Sequence, residues 1–397
     1  MENPDQIIRS WSLQGNYSNG SVIYDKLVPD NFDRLRTPFV NTWRQEQVSA
    51  VLDWGAQSFS YFLPESLRVV SSLFVRIELP ALPNGNYKDI PGLYAIERMR
   101  FMTNGTESYV VEPQQFMRDY LESLTDEQAA AFTRTYLGYE GDGGTGTARV
   151  ILVPILLPNS AYNFRGGSKG RGHGIWPAYL GSTRLEIQFT FAPAAHLVKA
   201  GADVPGSISG RCQVLTHVCQ MSPEDMLEYS NHRGKYSVHT RRITEITNGW
   251  DSATANVIKK INHAQPQGNV TELYCVAVPA GVDEANREVQ TLVQATHFSV
   301  TSDTIIQKSL DSKEKVGMEL WSNGFLGNKF ANSPSRLCFA AHAADAENTW
   351  TGAYNMHHSS QIDVDLRFGE NVNFRLFAIQ LQRTSIDQRG DITATLN

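Results

Sequence analysis

Two glycine motifs are the first places in this chain where residue type and spacing suggest chemistry. Gly141-Asp-Gly-Gly-Thr-Gly146 fits G-x-G-x-x-G by letter. Phosphate binding by such a loop needs a strand before it and a helix N-terminus after it, so that backbone N–H groups and the helix dipole face the pyrophosphate. The flanking periodicities are the reverse, helix then strand, and the motif reads as a flexible loop. Gly166-Gly-Ser-Lys-Gly170 fits G-x-S-x-G and would make Ser168 a nucleophile. An elbow of that kind needs a helix leaving it, whereas Arg171-Gly-His-Gly-Ile-Trp-Pro177 follows, whose glycines and proline oppose a helix. Arg165, Lys169 and Arg171 in the same run could touch phosphate or an acidic neighbour at a subunit junction. A solvated mobile loop is the default reading.

Histidines and carboxylates add little. His357-His358 is the only adjacent histidine pair, and nothing at a suitable spacing completes a metal site. His217 falls inside a strand pattern and reads as a packed residue. Asp363 and Asp365 stand two apart on one strand face, as paired carboxylates would. Ile362, Val364 and Leu366 on the opposite face make a solvated or interface face the better account. Cys212, Cys219, Cys275 and Cys338 show no C-x-x-C or zinc-type spacing. Cys212 and Cys219 lie seven residues apart in one strand pattern, on opposite faces, too far apart to bridge. All four read as reduced packing residues. No catalytic, cofactor or metal constellation emerges.

The 397 residues suffice for two or three domains, and 19% charged against 41% hydrophobic residues points to a globular chain. Thirty-five Lys+Arg against 41 Asp+Glu give −6, which provides no general cationic field for naked nucleic acid. Met1-Glu-Asn-Pro-Asp-Gln lacks the basic and apolar regions of a secretory signal. The longest apolar run, Val150-Ile-Leu-Val-Pro-Ile-Leu-Leu157, is far short of the ~20 residues of a spanning helix. A reducing compartment is expected, so the sequons at Asn16, Asn19, Asn104 and Asn269 read as chance.

The elements that would hold any site are mostly strands. Residues 1–55 are polar and irregular and read as an extended arm. Leu73, Val75, Ile77 and Leu79 share one face of a strand ended by Pro80, with Arg76 and Glu78 on the other. Residues 94–101 and 107–111 flank Asn104-Gly105, which suits a two-residue hairpin turn. Helical steps follow from Pro113 to Tyr136, with a capping box at Thr125-Asp-Glu-Gln128. Strand patterns resume at 148–157, 184–191 and 211–221, before a short helix capped by Ser222 with Pro223 at its first position. Beyond residue 235, strands are expected at 236–247, 269–279, 294–302, 304–308, 336–342, 361–368 and 372–386, with a helix at 312–321. The plan occurs twice without residue-level repetition. The expected fold is all-β: two tandem eight-stranded jelly-roll sandwiches with short helical insertions, divided as an arm at 1–55, a first jelly roll at 56–232 and a second at 233–397.

The order of segments resembles the double jelly-roll major capsid proteins of tailless icosahedral double-stranded DNA viruses, the branch of the large nucleocytoplasmic viruses and smaller relatives. The resemblance rests on Phe74-Val-Arg-Ile-Glu-Leu-Pro80; the strand pair and helix from Ala95 to Leu124; Ile175-Trp-Pro-Ala-Tyr-Leu-Gly-Ser-Thr-Arg-Leu-Glu-Ile-Gln-Phe189; the junction from Val214 to Tyr229; and Gly352-Ala-Tyr-Asn-Met-His-His-Ser-Ser-Gln-Ile-Asp363. It covers roughly 57 to 397, and this chain lacks the large loop insertions of the bigger members. It implies a structural, non-enzymatic role without cofactor: a homotrimer forming a pseudo-hexameric capsomer, tiled with its neighbours and with penton and minor capsid proteins into the virion shell around a DNA genome. The arm would order on assembly, tying capsomers together or reaching an inner membrane, and no sequence-specific nucleic-acid contact is implied. Two other readings stay open: a minor capsid or vertex protein, and a tandem β-sandwich that binds or cleaves carbohydrate. The latter would use loop aromatics such as Trp176, Trp250, Trp321 and Trp350.

Overall fold

A computed structural model describes residues 40–47, 53–55, 58–63, 69–103, 105–111, 121, 126–141, 144–155, 185–220, 236–262, 268–282, 292–322, 334–339, 353–356, 359, 361–386 and 392–396. The chain divides into two compact units. Residues 1–117, 130–240 and 383–395 make the first; 118–129, 241–382 and 396–397 make the second.

The first unit carries β1 (Val40–Gln47), β2 (Ser58–Phe62), β3 (Val69–Leu79), β4 (Ile96–Thr103), β5 (Thr106–Val111), β6 (Arg149–Pro154), β7 (Leu185–Phe191) and β8 (Cys212–Gln220). They form two four-stranded sheets in the orders β1-β8-β3-β6 and β2-β7-β4-β5, with every pairing antiparallel. Alternation makes these strands: Leu73, Val75, Ile77 and Leu79 of β3 are at most 2% exposed, while Arg76 is half-buried and Glu78 exposed. Ile151 and Val153 from β6, Met99 and Phe101 from β4, Ile187 and Phe189 from β7 and Val214 from β8 are buried with them. Each such side chain contributes about 1.5–3 kcal/mol through loss of contact with water. Thr103 pairs with Thr106 across Asn104-Gly105, where Gly105 adopts φ +80°, so the expected two-residue turn is present. One expectation changes. Val40–Gln47, read in the sequence as part of the polar arm, pairs along its whole length with β8 as strand β1. Its Val-Asn-Thr-Trp-Arg-Gln-Glu-Gln composition lacks a continuous apolar face, which hid it.

The helix α1 (Asp126–Tyr136) begins directly after Thr125, where the capping box placed a start. Its Phe132 and Tyr136 rings lie 4.9 Å apart, and Tyr136 stacks on Phe74 at 5.4 Å, on the side of β3 away from Leu73 and Val75.

Residues 236–396 repeat the strand order, with 236–240 and 383–395 counted in the first unit. β9 (Tyr236–Glu245), β12 (Asn269–Pro279), β15 (Ser335–Cys338) and β18 (Val372–Ile386) form one sheet, with β9 and β12 both beside β18 and β15 beside β12. The short β10 (Asp251–Ala253) and β19 (Ile392–Leu396) also pair β18, and β16 (Tyr354–Asn355) pairs β12. The facing sheet runs β11-β17-β13-β14, from β11 (Lys259–Ile261), β13 (Ala295–Ser302), β14 (Ile305–Leu310) and β17 (Ile362–Phe368). Counted from β9, with β10 and β11 as one interrupted second strand and the two-residue β16 left out, the two sheets show first-eighth-third-sixth and second-seventh-fourth-fifth pairing, as in the first unit. That is the jelly-roll order, present twice. Leu273, Cys275 and Leu376 from one sheet meet Phe298, Val300, Val364 and Leu366 from the other in a single core. The helix α2 (Lys313–Ser322) starts on Ser312, whose hydroxyl accepts from Lys315 N, and buries Val316 in that core. The short helix expected at 222–229 lies outside the described residues.

Candidate functional site

Residues 144–146 of the glycine loop form a packed junction. Leu82 N donates to Gly146 O at 2.8 Å and Tyr87 N to Thr145 O at 3.0 Å, which ties the loop to the segment 82–87. A Cβ on Gly144, at φ +61°, would stand 2.0 Å from Tyr87 O, and one on Gly146 would stand 2.5 Å from Gly85 O. These glycines permit close backbone approach. The flexible loop expected from the sequence is therefore corrected to one held by its backbone, with helix before and strand after, as the periodicity indicated.

Arg149 organises the same junction, a role the sequence analysis missed. Its guanidinium donates at 2.8 Å to Gly138 O and to Thr145 O, lies 2.9 Å from Glu140 Oε2 and sits 5.1 Å over the Tyr87 ring. Tyr87 is fully buried and donates to Pro80 O at 2.6 Å; burial pushes its phenol up to about 12, against the pull of Arg149 and Arg211. Burial raises the Glu140 carboxyl, but hydrogen bonds from Thr145 and Thr147 and the Arg149 charge hold it below the usual carboxylate range. Every charge here is answered from within the protein. The arrangement braces a loop and leaves no group poised for proton transfer.

The remaining candidates do not converge. Ser168, Arg165, Lys169 and Arg171, the pair His357-His358, and Trp176 and Trp350 lie outside the described residues. His217 and Cys219 are in β8, and Trp321 is in α2. Trp250 is half-buried. Cys212, Cys275 and Cys338 are buried free thiols; burial pushes the Cys212 thiol up to about 12 and Cys275 higher still, which suppresses thiolate chemistry. Among the described residues no three His, Cys, Asp or Glu side chains gather as a metal site. No described helix is long and apolar enough to cross a membrane.

Asp363 and Asp365 occupy the outward face of β17, with Ile362, Val364 and Leu366 buried opposite, as the alternation required. Asp363 accepts from Gln361 Nε2 at 2.9 Å. Asp365 pairs in register with Ser299 on β13 and Lys260 on β11, and its shielded Oδ1 has no hydrogen-bond partner. His297, next along that face, contacts Ser299 Oγ at 3.0 Å. Its imidazole is held below the usual value by burial and then by Arg367, with Asp365 and Asp311 opposing. This is a mixed-charge sheet face, and the Ser299 hydroxyl that His297 contacts is buried.

Two ion pairs brace the second unit. Arg336 and Glu272 lie 3.2 Å apart, each 1% exposed, with Arg336 5.1 Å over the Tyr274 ring. Arg375 holds Glu245 through two bonds of 2.8 and 2.6 Å. Several large apolar side chains remain on the surface. Val257 and Ile258 precede β11, Ile305 and Ile306 open β14, and Met318 projects from α2, all more than half exposed. For the isoleucine pair the sequence held a signal: two adjacent β-branched residues that break the alternation directly after a turn.

No family model and no curated protein matches the chain. Solved structures do. The Faustovirus major capsid protein is similar at a TM-score of 0.63 and 9% identity, over 95% of this chain and 96% of that one. A quasi-atomic model of the PBCV-1 virus capsid gives 0.61 at 12% identity, over 91% and 97%. The mavirus major capsid protein gives 0.55 at 12% identity, over 89% and 90%. Near-complete coverage of both chains at so low an identity is a likeness of architecture, and it agrees with the doubled strand order: this chain has the fold of the double jelly-roll major capsid proteins.

Proposed function

We propose that the chain is a major capsid protein, acting in the virion as a structural component of an icosahedral shell around a double-stranded DNA genome and catalysing no reaction. The observation that carries this reading is the jelly-roll strand order present twice in one chain, over nine-tenths or so of the length of structures whose names are those of capsid proteins. Three copies would close into a capsomer with six sandwiches around its axis, since closed rotational symmetry satisfies lateral surfaces that a single copy leaves open. Neighbouring capsomers, penton proteins and minor capsid proteins would be its partners. The polar N-terminal stretch would make the contacts beyond the capsomer, to a neighbour or to an inner membrane. Two tandem jelly rolls, divided near residues 232–233 after an N-terminal arm, are the building units of this reading.

Mass measurement of the purified full-length protein tests it. A stable species of three times 44.3 kDa that forms closed shells in electron micrographs is the expected result. A monomer that binds glycans on an array, and never forms shells, would overturn it in favour of carbohydrate recognition.

A further inference from the structure

Among the described residues β14 ends the facing sheet of the second unit. This strand pairs only β13 and ends the order β11-β17-β13-β14, so among the described residues no strand lies along its other side. Its first three residues, Ile305, Ile306 and Gln307, are exposed in succession, the isoleucines by 64% and 65%. Residues paired across an antiparallel ladder share a face, so Ile306 projects with Thr301 and Ile305 with Ser302, one to each side of the sheet. Scattered exposed aliphatics are ordinary on soluble proteins. An adjacent pair on an edge strand is what proteins that must stay single avoid, usually by placing a lysine or proline there. The lysine of this strand, Lys308, is turned to Glu319 and to Cys338 O and does not guard the edge. The turn that presents the pair has Asp303 at φ +47° and Thr304 at φ +74°. Both lie in the positive-φ region that a two-residue hairpin loop between the paired Ser302 and Ile305 requires.

The sequence contains a segment suited to this edge. Residues 21–28 read Ser-Val-Ile-Tyr-Asp-Lys-Leu-Val between Gly20 and Pro29, a run of strand type bounded by turn residues. Its alternate positions are apolar on both faces: Val22, Tyr24 and Val28 on one, Ile23 and Leu27 on the other. That matches an edge with one isoleucine on each side. Asp25 and Lys26 cancel in charge, so nothing in the run repels the acidic turn at Asp303. Residues 29–39 separate it from β1, a tether that reaches about 35–40 Å when extended.

We infer that residues 21–28 of a second copy of this chain add to β14 as a fifth strand, joining copies of the protein by strand exchange; this rests on the shell-forming role proposed above. Backbone hydrogen bonds give such a contact its strength, and alternate side chains set its register.

The test uses full-length protein. Tyr24→Cys and Ile306→Cys copies are purified separately, mixed, assembled and treated with a short bismaleimide, whose spacer tolerates a register slip of one or two residues. A covalent species of twice 44.3 kDa is expected from the mixture, at least tenfold above either variant alone or Tyr24→Cys mixed with Val257→Cys, at an exposed site near the opposite edge. Ile306→Asp is expected to reduce shell yield at least tenfold without changing the mass of the species in solution. Shells that form with no cross-link above the Val257→Cys control would overturn the strand exchange and leave the shell reading standing. An intrachain link in the doubly substituted Tyr24→Cys, Ile306→Cys protein, with none between copies, would overturn it in favour of the chain's own segment. A wild-type protein that forms no assembly at all would overturn both.

Discussion

Gly144 and Gly141 belong to the same motif by letter but differ in what they support. A Cβ at Gly144 meets Tyr87 O at 2.0 Å, whereas one at Gly141, at φ +131°, meets nothing within 4 Å. Gly144→Ala is therefore expected to destabilise the first unit by about 2 kcal/mol or more, and Gly141→Ala by about 1, through backbone strain alone. Thermal midpoints by calorimetry give the ranking; equal shifts would contradict the packed-junction account. The buried pair Arg336 and Glu272 supports a second comparison. Arg336→Met leaves the Glu272 carboxylate buried without its counter-ion and is expected to cost about 3–5 kcal/mol. The double substitution Arg336→Met, Glu272→Leu should recover most of that loss, because no charge then remains to be solvated. Urea denaturation of the three proteins measures both. Neither Gly144 nor Arg336 is marked in the sequence by anything but its type, since the atoms that make each critical come from segments about 57 and 64 residues away.

Among the elements, the junction of β9 and β18 responds to acid. Arg375 on β18 grips Glu245 at the end of β9, and the same carboxylate accepts from Gly249 N at 2.8 Å. Burial alone would raise the Glu245 carboxyl, but Arg375, Gly249 and Thr247 together hold it below its ordinary 4.5. A carboxyl lowered on folding contributes stability above its unfolded value and loses it as pH falls through its folded value. The thermal midpoint is thus expected to be nearly level from pH 7 to about 5 and to fall in more acid solution. Glu245→Gln should flatten that acid slope while lowering the midpoint at pH 7. At this scale the sequence was most legible where one face meets the core. The period-two patterns of β3 and β17 located those strands within a few residues, whereas β12, buried on both faces, shows an apolar run instead. The three-residue β10 and β11 and the two-residue β16 are too short for a period to show. β1 carries no continuous apolar face, and only its pairing with β8 makes it a strand.

For the whole molecule, β1 decides where an N-terminal truncation can begin. Removal of residues 1–38 leaves β1 intact and is expected to preserve a trimer of the shortened chain while abolishing shells. Removal of residues 1–50 also takes away an eight-residue edge strand and exposes β8, and is expected to give aggregates. Light scattering and electron microscopy of the two truncations separate the outcomes. Wild-type shells from the shorter truncation would show that the N-terminal stretch takes no part in assembly.

By itself the sequence determined the fold class, the order of the long strands other than β1 and the helices at 126–136 and 313–322, because a buried face repeats every second residue in a strand and every third or fourth in a helix. It also argued against a phosphate loop at 141–146, since that chemistry requires a strand before the loop and a helix after it, the reverse of what flanks it. Only the tertiary structure decided that Gly144 and Gly146 serve backbone contact, that Arg149 and Arg336 are buried and ion-paired, and that β14 ends its sheet among the described residues. Those properties belong to pairs of residues far apart in the chain, and no local pattern records which distant segment will arrive beside a given side chain.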